Sequence, residues 1–335
     1  MRKRTYGKIV VIGIILFVFA LCPYLVLAEC KAPAGFPSKP LEIIVPWGTG
    51  GGADQFSRAI AQPLEKILKK QIKVTNMPGA ATITGLTHYM SLPADGYSIF
   101  FLTNDTLIGM VNGRTDYRYK DLTYLMRGQY ATEMLFAHKK DDRFKSFKDV
   151  ISYVKAHPNE TITCGMAGAG GIDEVMLSLI LQQAGIKLKL MPYTKPGERY
   201  ASLAGRHVDI LLEEPGDVRS FIKGGIFQPL IAFSDKRLEG FEDIITSKEM
   251  NIDLPLARWR GLAIKAGTPP EIVKYLECCI KEAFGSKHYQ DYQKRVWMHF
   301  IDGWMGTDQF SAYAKKEYGV YGDVLKELGY KVVTK

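Results

Sequence analysis

Residues 41–69 read LEIIVPWGTGGGADQFSRAIAQPLEKILK. Leu41 to Val45 is an apolar run of strand length. Four glycines in five positions follow (Gly48, Gly50, Gly51, Gly52), and an amphipathic helical pattern starts near Asp54. A strand that passes through a glycine turn into a helix is the opening unit of an α/β layer. It also has a chemical consequence. The first amides of a helix lack intrahelical partners and carry the positive end of the helix dipole. A glycine turn there leaves them open to an anion, with no side-chain cation and no catalytic residue required.

The unit recurs. Residues 161–164 (TITC) read as a short strand, Gly165 to Gly171 (GMAGAGG) as a glycine turn, and Ile172 to Ala184 as a helix closed by Gly185. Two such units in different lobes would set two helix N-termini facing one another across a cleft. The alternative is two ordinary βα turns, where glycine is common. Outward from these units, strand-like runs at 72–75, 98–102, 133–138, 188–191, 208–212, 229–233 and 261–264 alternate with helical patterns. The helical patterns lie at 54–69, 81–91, 146–156, 172–185, 197–205, 270–284, 288–298 and 307–329. The alternation predicts an α/β fold, as two domains or one large one.

Residues 1–28 read as a secretory signal: Arg2, Lys3, Arg4 and Lys8 precede the apolar stretch from Ile9 to Cys22, Pro23 breaks it, and Val26-Leu27-Ala28 supplies the cleavage site. A retained membrane anchor is the competing reading, because Ile9 to Ala28 comes close to the roughly 20 residues that span a bilayer. The glutamate before Cys30 is poor for a lipobox. Removing four basic residues and no acidic one lowers the net charge from +9 to +5. That is mildly favourable for anionic ligands and unlike the clustered basic stripe of a nucleic-acid binder. Cys30, Cys164, Cys278 and Cys279 remain, without C-x-x-C or metal-ligand spacing, and are read as buried free thiols.

Gly48 to Ala53 fit G-x-G-x-x-G/A, but the second strand ends in Asn76-Met77-Pro78-Gly79, without the carboxylate a dinucleotide ribose needs. No lysine closes the loop as in a Walker A, and neither G-x-S-x-G nor H-E-x-x-H occurs. The six histidines are scattered. No enzyme chemistry, metal or cofactor is therefore expected. Glu213-Glu214 ends an apolar strand and precedes Pro215-Gly216. Either acid there would suit a cationic group on a ligand, such as an amine, and the alternative is a solvated pair.

The segments PSKPLEIIVPWGTGGGADQFSRAIAQPL, NMPGAATITG, PADGYSIFFLTND, FKSFKDVISYVKAHPNETITCGMAGAGGIDEVML, MPYTKPGERYASLAGRHVDI and WRGLAIKAGTPPEIVKYL occur in that order. Together they resemble the Bug family of exported solute-binding proteins, the TctC-like component of tripartite tricarboxylate transporters. The resemblance implies a two-lobed periplasmic binding protein fold of type II-like form, each lobe a mixed sheet flanked by helices, with the ligand cleft between. Lobe 1 is then 29–137 plus 262–335, and lobe 2 is 138–261. The implied function is periplasmic capture of a small mono-, di- or tricarboxylate or aromatic acid by a monomer, for delivery to integral-membrane permease subunits. The alternatives are a sensor-linked binding protein and a dinucleotide-dependent enzyme using the GTGGGA loop.

Carried over, the resemblance assigns ligand contacts to the first loop (Trp47, Gly48, Thr49, Gly50, Gly51, Asp54) and to the second (Gly79, Ala80, Ala81, Thr82). Thr103 and Asn104 end the third strand facing the same cleft and are assigned as ligand contacts too. Gly168, Ala169, Gly170, Gly171 and Tyr193 come from the second lobe, and Glu213, the strand-end acid read above, is added to them as a ligand contact. Trp47 is read as a cover for an apolar part of the ligand, and Asp54 as a cap or loop-orienting residue, or else a direct contact. The chain departs from the family pattern with Thr49 in place of proline, with Ala81 and Thr82 in place of glycines, and with Gly171 and Asp173-Glu174 where Ser and His are usual.

Overall fold

The computed structural model describes residues 30–333 except Pro255; the signal read at 1–28 lies outside the described residues. Its strands are β1 (Leu41–Val45), β2 (Ile72–Asn76), β3 (Ser98–Thr103), β4 (Leu122–Ala131), β5 (Met134–His138), β6 (Thr163–Ala167), β7 (Lys189–Tyr193), β8 (Ile210–Glu213), β9 (Phe227–Ala232) and β10 (Arg258–Lys265). Its helices are α1 (Gly52–Leu68), α2 (Ile83–Ser91), α3 (Asn104–Val111), α4 (Phe147–Ala156), α5 (Ile172–Ala184), α6 (Pro196–Ala204), α7 (Arg219–Lys223), α8 (Pro270–Gly285), α9 (Lys287–Arg295) and α10 (Thr307–Glu327). Among the described residues, no helix is long and apolar enough to cross a membrane.

Two five-stranded sheets form two lobes, ordered β2-β1-β3-β10-β4 and β7-β6-β8-β5-β9. The orders correspond position for position. Three parallel strands, with the glycine-turn strand (β1 or β6) in the middle, are extended by an antiparallel strand and its antiparallel neighbour. The repeat seen in the sequence is thus a repeat of lobes. The chain passes from the first sheet to the second between Ala131 and Met134, and returns between Ala232 and Arg258. The boundaries expected at 137/138 and 261/262 would cut β5 and β10, each of which lies wholly in one sheet.

The central strands are buried on both faces, so they read as continuous apolar runs and were legible as such. Ile43, Ile44 and Val45 are fully buried. Helix α1 places Phe56, Ile60, Leu64 and Leu68 on the sheet at helical spacing and ends at Lys69, in left-handed conformation. Gly185 closes α5 as expected, with φ +65° and its amide on the Gln182 carbonyl. Three elements escaped the sequence reading. Strand β4 carries Arg127, Gly128 and Gln129 in its middle, which breaks the apolar pattern, yet Arg127 and Gln129 are buried. Helix α3 is buried at all eight positions and so has no amphipathic signature. Helix α7, five residues long, is too short to show a period.

Cys164 and Cys279 are free buried thiols. Cys30 and Cys278 are not: each is disulfide-bonded, which corrects the reading of all four as thiols. Adjacent cysteines on α8 point in different directions, so only one of the pair enters the core.

Candidate functional site

In each lobe the strand order reverses at the glycine-turn strand, and the turns after β1, β3, β6 and β8 lie at the carboxyl ends of parallel strands, where α/β sheets gather ligand contacts. These turns meet across the lobes. Gly168 has φ +59°, and a β-carbon there would lie 3.4 Å from the Ala81 β-carbon and 3.5 Å from the Trp47 ring. Gly48 and Gly51 face Pro196, at the start of α6. Arg114 donates from the first lobe to the carbonyls of Ala169 and Gly170, at 2.9 and 3.2 Å. Ala80, Ala81 and Thr82 take positive φ of 46°, 44° and 84° in succession. The second loop therefore keeps a backbone suited to glycine while carrying side chains, a strained arrangement of the kind that collects at ligand clamps.

Several of the turn amides that the sequence reading left open to an anion are taken by the chain's own carboxylates. The Gly50 amide donates to Asp54 at 3.0 Å, and Arg58 donates to the other oxygen of the same side chain. Asp54 is therefore a loop-orienting residue. In the second lobe the Gly170 amide donates to Glu174 at 2.7 Å and the Ala167 amide to Asp173 at 2.7 Å. Ile172, the first residue of α5, donates its amide to Asp105 from the opposite lobe at 2.9 Å.

Side-chain cations, which the reading of the glycine turns did not require, also stand here. Arg258 and Arg260, two apart on β10, share one face of that strand. Arg258 reaches Glu133 at 2.6 Å, Asp105 at 3.2 Å and Glu214 at 3.2 Å, and it also pairs with Asp173. Arg260 reaches Glu214 at 2.8 Å and Asp217 at 2.9 Å, and donates to Gln129 at 3.0 Å. Arg199 grips Glu213 through two nitrogens. Six buried carboxylates thus surround three buried guanidiniums. Glu213 is an ion-paired residue of this network, not a solvated one. The oxygens of Glu213, Glu214 and Asp217 lie within 4.8 Å of one another, close enough for a metal ion, but Arg260 already sits on two of the three.

Burial pushes the Glu214 carboxyl well above the usual range against the pull of Arg260, with Asp217 and Glu213 adding to the rise. Asp217 and Glu133 are raised for the same first reason, opposed by Arg260 and Arg258 respectively. Burial also acts upward on Glu213, but Arg199 and the hydrogen bonds from Glu214 outweigh it and hold Glu213 low.

A cavity of about 40 Å³ remains between the walls, lined by Trp47, Gly51, Thr103, Ala167, Glu213 and Arg258 among others. That holds a water or two, so any larger ligand needs the lobes to part. A more open cavity of about 1150 Å³ runs along the crossover segments at Ala131, Thr132, Phe233 and Ala257 and includes none of the glycine-turn residues. Asn104 does not face the cleft. It is fully buried, donates to the Ala257 carbonyl, accepts from the Trp259 amide and bonds the Tyr321 hydroxyl, tying β10 to α10. Thr49, Gly50, Ala80 and Ala169 are exposed at the loop tips. Tyr193 is half-buried and offers its carbonyl to the Gly168 amide. The reading of the sequence missed Arg258, Arg260 and Asp217; the signal was Arg-Trp-Arg at the head of an apolar strand, where two charges on one face need partners.

A β-carbon at Gly52 would lie 2.1 Å from Arg260 and 2.2 Å from Asp217. Gly52→Ala should improve α1 as an isolated helix yet lower the stability of the closed protein by about 1–3 kcal/mol through overpacking. A melting temperature at or above that of the parent would contradict this.

A profile of the tripartite tricarboxylate transporter family receptor (TctC) matches residues 56–330. A UPF0065 protein from the TAR-I ttuE-ttuC' intergenic region of Agrobacterium vitis is 28% identical over 259 residues, 76% of this chain and 73% of that protein. The structure of a TctC solute binding protein from Polaromonas, without ligand, aligns with TM-score 0.64 and 27% identity over 87% of this chain and 99% of the other. MatC from Rhodopseudomonas palustris with bound malate aligns with TM-score 0.76 and 21% identity over 87% and 100%.

Proposed function

Since the chain belongs to the tripartite tricarboxylate transporter receptor family, we propose that it is an exported, periplasmic solute-binding protein that captures a small carboxylate between its lobes and delivers it to membrane permease subunits. The observation that carries this reading is the convergence of four strand-end turns on a cleft backed by Arg258 and Arg260. Guanidinium forks and backbone amides make charge-assisted bonds to a carboxylate, stronger than neutral ones. The malate bound by MatC supports the ligand class. The family is one of receptors, and the cleft's function follows from binding and closure, without turnover.

On this reading the ligand enters an open form, its carboxylate meets the α1 N-terminus and an arginine of β10, and the second lobe closes over it. Trp47, Gly51 and Thr103 line the first-lobe wall, and Ala167 and Glu213 line the second. The protein acts as a monomer, needs no cofactor and presents its closed face to the permease. Isothermal titration of the purified chain with mono-, di- and tricarboxylates and aromatic acids tests the reading. Saturable binding of at least one, with a decrease in radius of gyration on closing from an open form, is expected. Silence across the panel would overturn it.

A further inference from the structure

We propose that the ligand carries a cationic nitrogen as well as a carboxylate, and that the acids of the second lobe are its ammonium-binding wall. This deepens the carboxylate reading above and rests on it. The two walls of the cleft have opposite sign. From the first lobe come Arg258, Arg260 and the α1 N-terminus, with Asp105 offsetting one of the two guanidinium charges, and from the second come Asp173, Glu214 and Asp217. Glu213 also belongs to the second wall, but Arg199 of its own lobe neutralises it.

In the closed form the walls satisfy each other directly. A ligand carboxylate that takes Arg260 must displace Glu214 and Asp217 from it, and one that takes Arg258 displaces Asp173 and Glu214. The displaced acids stay in the cleft when the second lobe closes over the ligand, and a buried carboxylate stripped of its partner is strongly unfavourable. A plain dicarboxylate displaces acids and compensates none of them. A ligand with an ammonium group replaces the lost guanidinium with its own charge, at one-to-one stoichiometry and without a separate metal ion.

Two further groups point the same way. Glu133 Oε2 and the Tyr200 hydroxyl are both buried and lack hydrogen-bond partners among the described residues. The free oxygen of Glu133 sits on the carboxylate whose other oxygen Arg258 holds. Tyr200 adjoins Arg199, with Glu213, Asp217 and Glu214 in its field. Both oxygens can accept a hydrogen bond, and an ammonium is a donor with three.

The test is isothermal titration with matched pairs: glutarate against L-glutamate, and butanoate against 4-aminobutanoate. The amine-bearing member of at least one pair should bind at least tenfold more tightly. Glu214→Gln and, independently, Asp173→Asn should each shrink that ratio at least threefold, with folding checked by thermal melting. Equal or tighter binding of the amine-free members, or a ratio unmoved in both variants, overturns the proposal while leaving carboxylate binding intact. No binding by either class, together with silence across the wider carboxylate panel, fails the functional reading itself and the proposal with it.

Discussion

Arg258→Met should lower the stability of the protein by about 3–5 kcal/mol, the range for breaking a buried ion pair by removing one partner. Arg258 stands among Asp105, Glu133, Asp173 and Glu214, and is itself buried. Methionine restores much of the volume but none of the charge, so four carboxylates lose their shared cation. For a chain of this size the melting temperature should fall by on the order of 10 °C. Two of the four acids belong to the second lobe, so the variant should also populate a more open form, visible as a larger radius of gyration in solution scattering. Pairing the change with Asp173→Asn removes one stranded charge and should recover part of the loss; additive losses would count against the shared-cation account. Arg258→Lys is not expected to rescue, because an ammonium lacks the planar fork that reaches several carboxylates at once.

Stability should decline as pH rises, which runs against the usual behaviour of ion-paired acids. The carboxyl pKa values of Glu214, Asp217 and Glu133 are raised on folding, chiefly by burial. A group raised in the folded state binds its proton more tightly there. Its contribution is fully present below the unfolded value, near 4.5 for Glu and 3.8 for Asp, and is lost as pH climbs through the folded value. Glu213 is lowered and acts in the opposite sense, adding stability above its unfolded value. Above about pH 5 the Glu213 contribution is already complete, so the raised groups set the slope and the melting temperature should drop as pH climbs from there, a tenfold gain in proton affinity on folding being worth roughly 1.4 kcal/mol. Glu214→Gln keeps the shape and a permanent donor toward Glu213, so it should flatten the slope most. A profile that rises with pH, or a slope unchanged in the Glu214→Gln variant, would show that the protons are not held there.

Both predictions concern charges that local sequence pattern did not assemble. The glycine turn at 48–52, the strands through Ile43 and Cys164 and the Gly185 stop were readable, because each follows from neighbours along the chain: apolar runs, missing β-carbons and helical spacing; the second turn is shorter than the expected 165–171, because Gly165, Met166 and Ala167 continue β6 and only 168–171 turn. The α/β class was readable too, as were the motifs it lacks. The partners of those turns were not readable. Asp105 reaches the first amide of α5 from 67 positions away in sequence, and Arg260 meets Asp217 from 43.

The sequence alone determined that two glycine-turn units stand at the heads of two helices, since backbone conformation and apolar periodicity are local properties. Only the tertiary structure decided that several of their amides are occupied by the chain's own carboxylates and that Arg258 and Arg260 of one lobe meet Asp173, Glu214 and Asp217 of the other. The reason is physical: whether a charge is solvated, paired or stranded depends on what the folded chain brings within a few ångströms and how far it excludes water, and residues from β10, α3 and the turn after β8 become neighbours only once both sheets are built.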